Sequence, residues 1–228
     1  MNIVIIPARI GSKRIIEKNI KKFNGRPIID YTIKLLVKMN LFDKIIVSTD
    51  SDKIIKKVNK FSKLKIFETY LRSKHLSGDR VGTREVIVDI LKRFKFKKND
   101  NIFCVYPTSV FLKKKYIIKS LKLVKNRKNK YIFSAKEIDR NFLRSFTYEK
   151  NKLNLLFSKN YKKRTQDLKK IFLDAAQFYL AKKNIWLKNH KIFSSNANIV
   201  IIEKYDSIDI DEIADWSFAE KLYNIVNK

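Results

Sequence analysis

The first half of the chain repeats one pattern, in which a short apolar run is followed by a segment whose apolar residues have helical spacing. Residues 2–7 and 102–106 are almost entirely apolar, and a proline closes each run. Residues 27–38 carry apolar side chains three and four positions apart, which is typical of an amphipathic helix. Continuous apolar runs that alternate with such helices indicate parallel strands buried on both faces. The pattern predicts an α/β fold with a mostly parallel central sheet.

The other elements are predicted from the same two periodicities. Further strands are expected at residues 44–50, 64–68, 131–135 and 198–203, and further helices at 52–61, 83–94, 116–124 and 211–226. After about residue 138 the pattern changes to a hairpin, with strands at 142–148 and 153–157 around a turn at 149–151. No linker separates these parts, so we expect a single domain over residues 1–228 with a small inserted arm at about 139–175.

The alternation in residues 175–181, AAQFYLA, predicts a strand with one face in the core. Gln177 and Tyr179 would then share the opposite face.

Composition excludes several classes of protein. The chain has 228 residues, 45% of them hydrophobic, which is enough for a proper core. It has no apolar run of membrane-spanning length and no signal-peptide pattern, so a cytoplasmic location is expected. The single cysteine, Cys104, lies in an apolar run. We therefore expect a buried thiol and a reducing compartment.

The net charge of +30 has two interpretations. Such an excess is typical of proteins that bind nucleic acid or an anionic substrate. Lysine, isoleucine and asparagine are abundant together, however, and all three have A/T-rich codons, so a biased genome is the favoured explanation of the excess. The lysines are spread along the chain and no nucleic-acid-binding motif is present. A basic nucleic-acid-binding protein therefore stays only as the alternative of a different class.

Residues 5–14, IIPARIGSKR, place one glycine, one serine and several cations directly after the first predicted strand. Open parallel sheets bind ligands beyond the carboxyl ends of their strands. There Arg9, Lys13, Arg14 and Lys18 could neutralise a triphosphate. The segment matches neither the Walker A motif nor the dinucleotide-binding glycine pattern. The residues alone leave two readings open, a phosphate-binding loop and a basic surface turn.

Two aspartates near the C-terminus form the second candidate site. Asp209 and Asp211 are two positions apart, so on an extended chain their carboxylates point to the same side. Mg²⁺ binds one or two carboxylates together with substrate phosphates. In the alternative, Asp211 caps the last helix and Asp209 is a turn residue. The pattern itself does not choose between these two interpretations.

Five motifs in order resemble the CMP-sialic acid synthetase (acylneuraminate cytidylyltransferase) family over about residues 3–224. They are IPARIGSKRIIEKN, KIIVSTDSD, YLRSKHLSGDRVGT, VYPTSVFL and YDSIDIDEIADWSFAE. VYPTSVFL, RTQDL and DAAQFYLAKKNIWL are most similar to the family's pseudaminic acid cytidylyltransferases. The resemblance implies a Rossmann-like nucleotidyltransferase fold and a homodimer built through the inserted arm.

The resemblance also implies a reaction. CTP and a nine-carbon nonulosonic acid would give a CMP-sugar and pyrophosphate with Mg²⁺, supplying activated sugar for surface glycans or flagellin. N-acetylneuraminic or legionaminic acid is the alternative substrate.

The resemblance assigns roles to individual residues. CTP binding falls to Ala8, Arg9, Gly11, Ser12, Lys13, Lys18, Asn19, Arg72 and Asp79. Sugar binding falls to Tyr106, Thr108, Ser109, Arg164, Gln166, Gln177, Phe178 and Tyr179. The catalytic residues would be Lys13, Lys18, Asp209 and Asp211, the last two as Mg²⁺ ligands.

Asp50, Ile10 and Ile16 have no role among these assignments. Asp50, at the end of KIIVSTD, is interpreted as a cap at the entry to the next helix. Ile10 and Ile16 depart from the family, which often has glycine or a polar residue at the first position and proline at the second. An apolar Ile10 has no evident purpose in a loop that holds phosphate.

Overall fold

One sheet of seven strands forms the centre of the protein in a computed structural model, which describes residues 1–126 and 128–226. The strands are β1 (Asn2–Ala8), β2 (Lys22–Phe23), β3 (Arg26–Pro27), β4 (Lys44–Thr49), β5 (Phe67–Leu71), β6 (Asn101–Val105), β7 (Ile132–Ile138), β8 (Phe146–Glu149), β9 (Lys152–Leu155), β10 (Ile171–Lys182) and β11 (Asn198–Ile202). The central order is β11-β7-β10-β6-β1-β4-β5, and β2–β3 and β8–β9 form separate pairs. Only β10 runs antiparallel to its neighbours in this described sheet, which confirms the mostly parallel α/β fold.

Helices cover both faces of the sheet. They are α1 (Ile28–Met39), α2 (Asp52–Val58), α3 (Thr83–Arg93), α4 (Lys114–Leu123), α5 (Lys183–Leu187) and α6 (Ile213–Val226). Ile33 of α1 and Ile117 of α4 pack in the core on one face, and Ile87 of α3 and Trp186 of α5 pack in the core on the other. Burying one such aliphatic side chain contributes about 1.5–3 kcal/mol. Among residues 1–126 and 128–226, no helix has the length and apolar character needed to cross a membrane.

The predicted strand at residues 64–68 is wrong by about three positions. Residues 64–67 form a turn in which the Phe67 N–H donates to the Leu64 carbonyl at 2.9 Å, and β5 begins only at Phe67. The shift has a functional consequence because β5 now ends at Leu71. Arg72 follows directly and stands at the carboxyl edge of the sheet.

The arm contains the predicted hairpin with shorter strands. Lys150 and Asn151 both have positive φ, 49° and 60°, which is the geometry of a two-residue hairpin turn whose twist matches the strands. The prediction that the first strand begins at 142 is wrong, because Arg140–Arg144 forms a 3-10 helix. The Asp139 side chain caps this helix by accepting from the Asn141 N–H at 2.8 Å. From Ile171 onward the chain is back in the central sheet, as β10.

The predicted strand over residues 175–181 is part of β10, but a bulge at its start interrupts the predicted alternation. Asp174 pairs with Ala135 and Tyr179 pairs with Phe133, so several residues of β10 oppose one residue of β7. The freed N–H groups of residues 177 and 178 both donate to the Ser134 hydroxyl, at 3.1 and 3.2 Å. Beyond the bulge the alternation is regular, with Phe178 and Leu180 in the core on one face and Tyr179 and Ala181 in the core on the other.

Candidate active site

Polar residues follow the carboxyl ends of four parallel strands and meet at one edge of the sheet. Arg9 follows β1, Asp50 follows β4, Arg72 follows β5 and Tyr106 follows β6. Because β10 runs in the opposite direction, its first half, with Asp174, lies beyond the end of β6. A cleft of about 500 Å³ opens at this edge. Its position follows from strand direction alone, since parallel strands bring their carboxyl ends together.

Twelve of the residues suggested by the sequence line this cleft. They are Arg9, Ser12, Lys13, Lys18, Asn19, Arg72, Asp79, Tyr106, Thr108, Tyr179, Asp209 and Asp211. Arg14, one of the four loop cations, lines it as well. These residues come from segments up to about 200 positions apart, so their convergence is a product of the fold.

The remaining suggested residues lie elsewhere. Ala8, Ser109, Gln177 and Phe178 are buried beneath the cleft, and Gly11, Arg164 and Gln166 are outside its lining. The Ser109 hydroxyl donates to the Gln177 carbonyl at 3.0 Å, and the Gln177 amide donates to the Asp206 carbonyl. These two residues therefore shape the wall from behind. Neither packing nor a positive φ requires glycine at Gly11.

Asp50 holds the basic loop and does not cap the next helix, so its interpretation as a cap is wrong. Its carboxylate accepts the backbone N–H of Ile10 at 3.0 Å, whereas Ser51 is the N-cap of α2. The Ile10 side chain packs against the core on the α1 face. The Asn19 amide donates to the Arg9 carbonyl at 2.8 Å. Ile10 is therefore an apolar anchor for the loop, which answers the question that its sequence position raised.

Asp79 faces the loop from the opposite rim of the cleft. Its carboxylate pairs with Arg9 at 2.8 Å and with Lys13 at 2.5 Å. Hydrogen bonds from Lys13 and then from Arg9 lower the pKa of Asp79. An incoming anion would compete with this carboxylate for the same two cations.

Asp211 lies at the other end of the loop and does not cap the last helix, which begins only at Ile213. Its carboxylate pairs with Arg14 at 2.7 Å and with Lys18 at 3.5 Å. The Lys18 ammonium also donates to the Ile210 carbonyl at 2.6 Å. We call Arg9, Ser12, Lys13, Arg14 and Lys18 the basic wall of the cleft.

Asp209 lies beside Asp211, and the positive charges of Lys18 and Lys136 act on it without a direct contact. Burial raises the pKa of Asp209, and the charge of Asp211 raises it further. In the described parts of the chain no lysine or arginine forms an ion pair with Asp209. A half-buried carboxylate beside a second carboxylate fits a divalent cation, which would relieve both effects. Since the described residues contain no cluster of three metal-binding side chains, Mg²⁺ would take its other ligands from water and phosphate.

Arg72 is a fixed cation at the floor of the cleft. Its guanidinium donates to the Ser48 carbonyl at 2.6 Å and to the Ser77 hydroxyl at 2.9 Å. Burial lowers the pKa of Arg72, and the charge of Asp50 opposes this shift. The guanidinium stays protonated, because arginine titrates far above neutral pH.

The wall opposite the basic loop contains hydroxyls and a carboxylate. Tyr106 and Thr83 share a hydrogen bond of 2.7 Å, and the Tyr179 hydroxyl donates to Asp174. Ala176 stands at the bulge with a φ of +47°. We call Tyr106, Asp174, Ala176 and Tyr179 the bulge wall.

Sequence reasoning missed Asp174. The only signal was its place at the start of DAAQFY, directly after an apolar run.

The fold and cleft define an α/β protein whose cleft, at the carboxyl edge of the sheet, contains a basic loop and a pair of carboxylates. The sequence profile of the cytidylyltransferase family matches residues 3–225, and the chain belongs to this family. Membership confirms the resemblance carried by the five motifs. It also favours an enzyme over the nucleic-acid-binding alternative.

Relatives and structures agree with this assignment. The chain is 32% identical to a pseudaminic acid cytidylyltransferase of Campylobacter jejuni, over 98% of this chain and 97% of that protein. It is 28% identical to a CMP-N,N′-diacetyllegionaminic acid synthase of Legionella pneumophila, over 98% of this chain and 96% of that protein. The structure of a CMP:2-keto-3-deoxy-manno-octonic acid synthetase complexed with CTP matches with a TM-score of 0.74, at 10% identity, over 99% of this chain and 100% of that one. This last likeness concerns the fold, and it confirms the nucleotidyltransferase architecture.

Proposed function

We propose that this chain is a pseudaminic acid cytidylyltransferase. It would transfer CMP from CTP to the anomeric hydroxyl of the sugar acid and release pyrophosphate. The observation that carries the proposal is the cleft itself, in which the four loop cations are paired with Asp79 and Asp211 and lie in the same cleft as Asp209. The full-length similarity to the Campylobacter jejuni enzyme supports pseudaminic acid as the sugar.

The cations of the basic wall would bind the triphosphate by leaving their ion pairs with Asp79 and Asp211 and pairing with phosphate oxygens instead. Lys13 and Arg14 are 79% and 61% exposed, so both can turn from their aspartates toward phosphate oxygens. Phosphate carries more charge than a carboxylate and accepts bidentate arginine contacts. The loop backbone stays in place meanwhile, because Asp50 and Asn19 hold it.

Asp209 and Asp211 would hold Mg²⁺ together with the phosphates. The bound ion supplies Lewis acidity, which polarises the α-phosphate and favours deprotonation of the attacking hydroxyl. The protein contributes position: the two carboxylates lie at one end of the basic loop, so the metal ion and the loop cations would neutralise the phosphates together. Arg72 at the floor and the apolar Leu76 and Val81 on the rim are placed to receive the cytidine end.

The chemical step would be an in-line displacement. The anomeric oxygen forms a bond to the α-phosphorus while the bond to the pyrophosphate oxygen breaks, and the hydroxyl proton leaves to solvent. Little covalent chemistry falls to the protein, so orientation and charge stabilisation account for the rate. Lys13 and Lys18 would stabilise the departing pyrophosphate.

We also propose a homodimer built through the arm, in the cytoplasm, where CTP is made. Both strands of the hairpin are exposed, and Phe146, Tyr148 and Leu153 are 55%, 65% and 53% accessible. An isolated hairpin is marginally stable, and an apolar patch of this kind marks an interaction surface. Arg164 pairs with Asp167 on this arm, outside the cleft of its own chain. A role for Arg164 in sugar binding therefore requires the cleft of a second copy.

Mixed dimers test the arm. Arg164→Ala and Asp211→Ala would each be inactive alone, but a mixture that exchanges subunits contains one intact site per heterodimer. Activity is expected to return to roughly a quarter of the wild-type value, because half the dimers carry one working site of two. Purified monomers at working concentration, or no recovery after subunit exchange, would contradict the arrangement.

Pyrophosphate release tests the function itself. Wild-type protein with CTP and Mg²⁺ is assayed against pseudaminic, legionaminic and N-acetylneuraminic acids. Pseudaminic acid is expected to give the highest kcat/KM. Legionaminic acid is the second candidate because of the 28% identical relative, and a preference for it would replace the proposed sugar. Release with none of the acids would overturn the function.

A further inference from the structure

We propose that Asp174 binds the sugar acid directly, by accepting a hydrogen bond from one of its hydroxyl or acylamino N–H groups. It would thereby determine which sugar acids this chain uses. The inference rests on the proposed function and adds a specificity residue that the motifs did not supply.

The bulge in β10 begins directly after Asp174, which lines the cleft. Register is lost between Asp174 and Tyr179, and Ala176 takes a left-handed φ of +47°. An L-residue in this region costs about 1–2 kcal/mol, so the surrounding structure must stabilise it. Part of that stabilisation is visible, because the Asp174 carboxylate accepts the Ala176 N–H at 3.0 Å. Both side chains line the cleft.

The Asp174 carboxylate is oriented and still has free acceptor capacity. One oxygen accepts from Ala176 and the other from the Tyr179 hydroxyl. Burial and the neighbouring Tyr106 raise the pKa of Tyr179, so this hydroxyl stays a proton donor. A carboxylate offers about four acceptor positions, so about two remain unused. Two internal partners fix the side chain and leave the rest for a ligand.

Charge around Asp174 selects the kind of group that can approach. Within residues 1–126 and 128–226, no lysine or arginine forms an ion pair with this carboxylate. The sugar's own carboxylate would be repelled here, whereas a hydroxyl or amide N–H would form a charge-assisted hydrogen bond. Asp174 thus orients the sugar acid with its donor-bearing side against the bulge wall.

The experiment uses full-length Asp174→Ala and Asp174→Asn. Pyrophosphate release is measured as the sugar acid and CTP are varied separately. The kcat/KM for the sugar acid is expected to fall about 10- to 150-fold in the alanine variant, the loss of one hydrogen bond to a charged group. The KM for CTP should stay within about twofold. Asp174→Asn keeps an acceptor for the Ala176 N–H, so its melting temperature tests whether the bulge survives.

Sugar analogues locate the donor. Each analogue replaces one hydroxyl or acylamino group by hydrogen and is assayed with wild type and Asp174→Ala. The analogue that lacks the contacted donor is expected to lose activity with wild type, and that loss should vanish in the variant.

The other possible results distinguish a failure of this inference from a failure of the proposed function. Unchanged kcat/KM for the sugar acid in both folded variants, a loss that falls equally on CTP, or penalties that persist for every analogue would overturn the role of Asp174. Failure of wild type with every sugar acid would instead overturn the proposed function.

Discussion

The basic wall and the bulge wall of the cleft recognise ligands in different ways. In the basic wall the long side chains of Lys13 and Arg14 are exposed, and the four cations are already paired with Asp79 and Asp211. The bulge wall uses short or buried groups whose hydrogen bonds are made within the wall, as between Tyr179 and Asp174. The first wall can adapt to a charged, flexible triphosphate, whereas the second is fixed before the ligand arrives.

Because of this difference, we expect the basic wall to determine the affinity for CTP and the bulge wall to determine the selectivity among sugar acids. Exposed cations attract any polyphosphate and contribute modestly one by one. Buried hydrogen-bonding groups reject ligands that leave them unpaired, and such rejection is the larger source of discrimination. Variants of the basic wall should therefore alter CTP binding, and variants of the bulge wall should alter the choice of sugar acid.

Asp211→Ala should have the largest effect. It removes one of the two proposed Mg²⁺ ligands and frees Arg14 and Lys18, so kcat is expected to fall roughly 1,000-fold, the loss of several kcal/mol of charge stabilisation. Pyrophosphate release against Mg²⁺ concentration measures it. The exposed neighbour Glu212→Ala is the matched control. A variant close to wild type would remove Asp211 from the metal site.

Asp50→Ala tests whether the basic wall depends on its anchor. Losing the acceptor for the Ile10 N–H should loosen the loop and raise the KM for CTP about 10- to 100-fold, the worth of a hydrogen bond to a charged group. The KM for the sugar acid should stay unchanged. Asp50→Asn retains an acceptor oxygen and should recover most of the affinity. Equal effects on both substrates would mean that Asp50 supports the whole cleft.

Lys13→Ala should weaken CTP binding about 10-fold, because one charge-assisted contact to phosphate is lost. Calorimetry with CTP and, separately, with the sugar acid measures the effect. Lys63→Ala, an exposed lysine outside the cleft, controls for the change in net charge. Weakened binding of the sugar acid alone would break the division between the two walls.

Asp79→Asn should have the smallest effect and the opposite sign. Removing the charge that competes for Arg9 and Lys13 is expected to tighten CTP binding about threefold, since solvent screens an exposed ion pair and its removal changes binding little. The same calorimetric titration detects it. Weaker binding would instead support the contact with CTP that the family resemblance assigns to Asp79.

The parts of the site that follow strand ends could be predicted from sequence. Arg9 and Tyr106 come directly after apolar runs, and the parallel sheet brings such ends together. Asp209 and Asp211 were found because their spacing of two has a chemical meaning. The local patterns left a second interpretation open for the loop and for the two aspartates, and only the family resemblance favoured one interpretation and added Tyr106.

The parts that depend on contacts between distant segments could not be predicted. The hydrogen bond from Ile10 to Asp50 joins residues 40 positions apart, and the sequence around each residue suggested a different role. The bulge gave no signal, because its left-handed residue is Ala176 and not the glycine that usually marks one. Asp174 was missed for the same reason, since a regular alternation left it no place in the cleft.

The position of β10 sets the order in which the protein can fold. β10 lies between β6 and β7 but follows both in the chain. While the chain is being synthesised, the inner edge of β6 has no partner until residue 171 and those after it emerge from the ribosome. An open edge on an apolar strand is a template for wrong pairing. The nascent chain therefore completes its catalytic cleft last, and the interval before β10 inserts is when aggregation competes most strongly with folding.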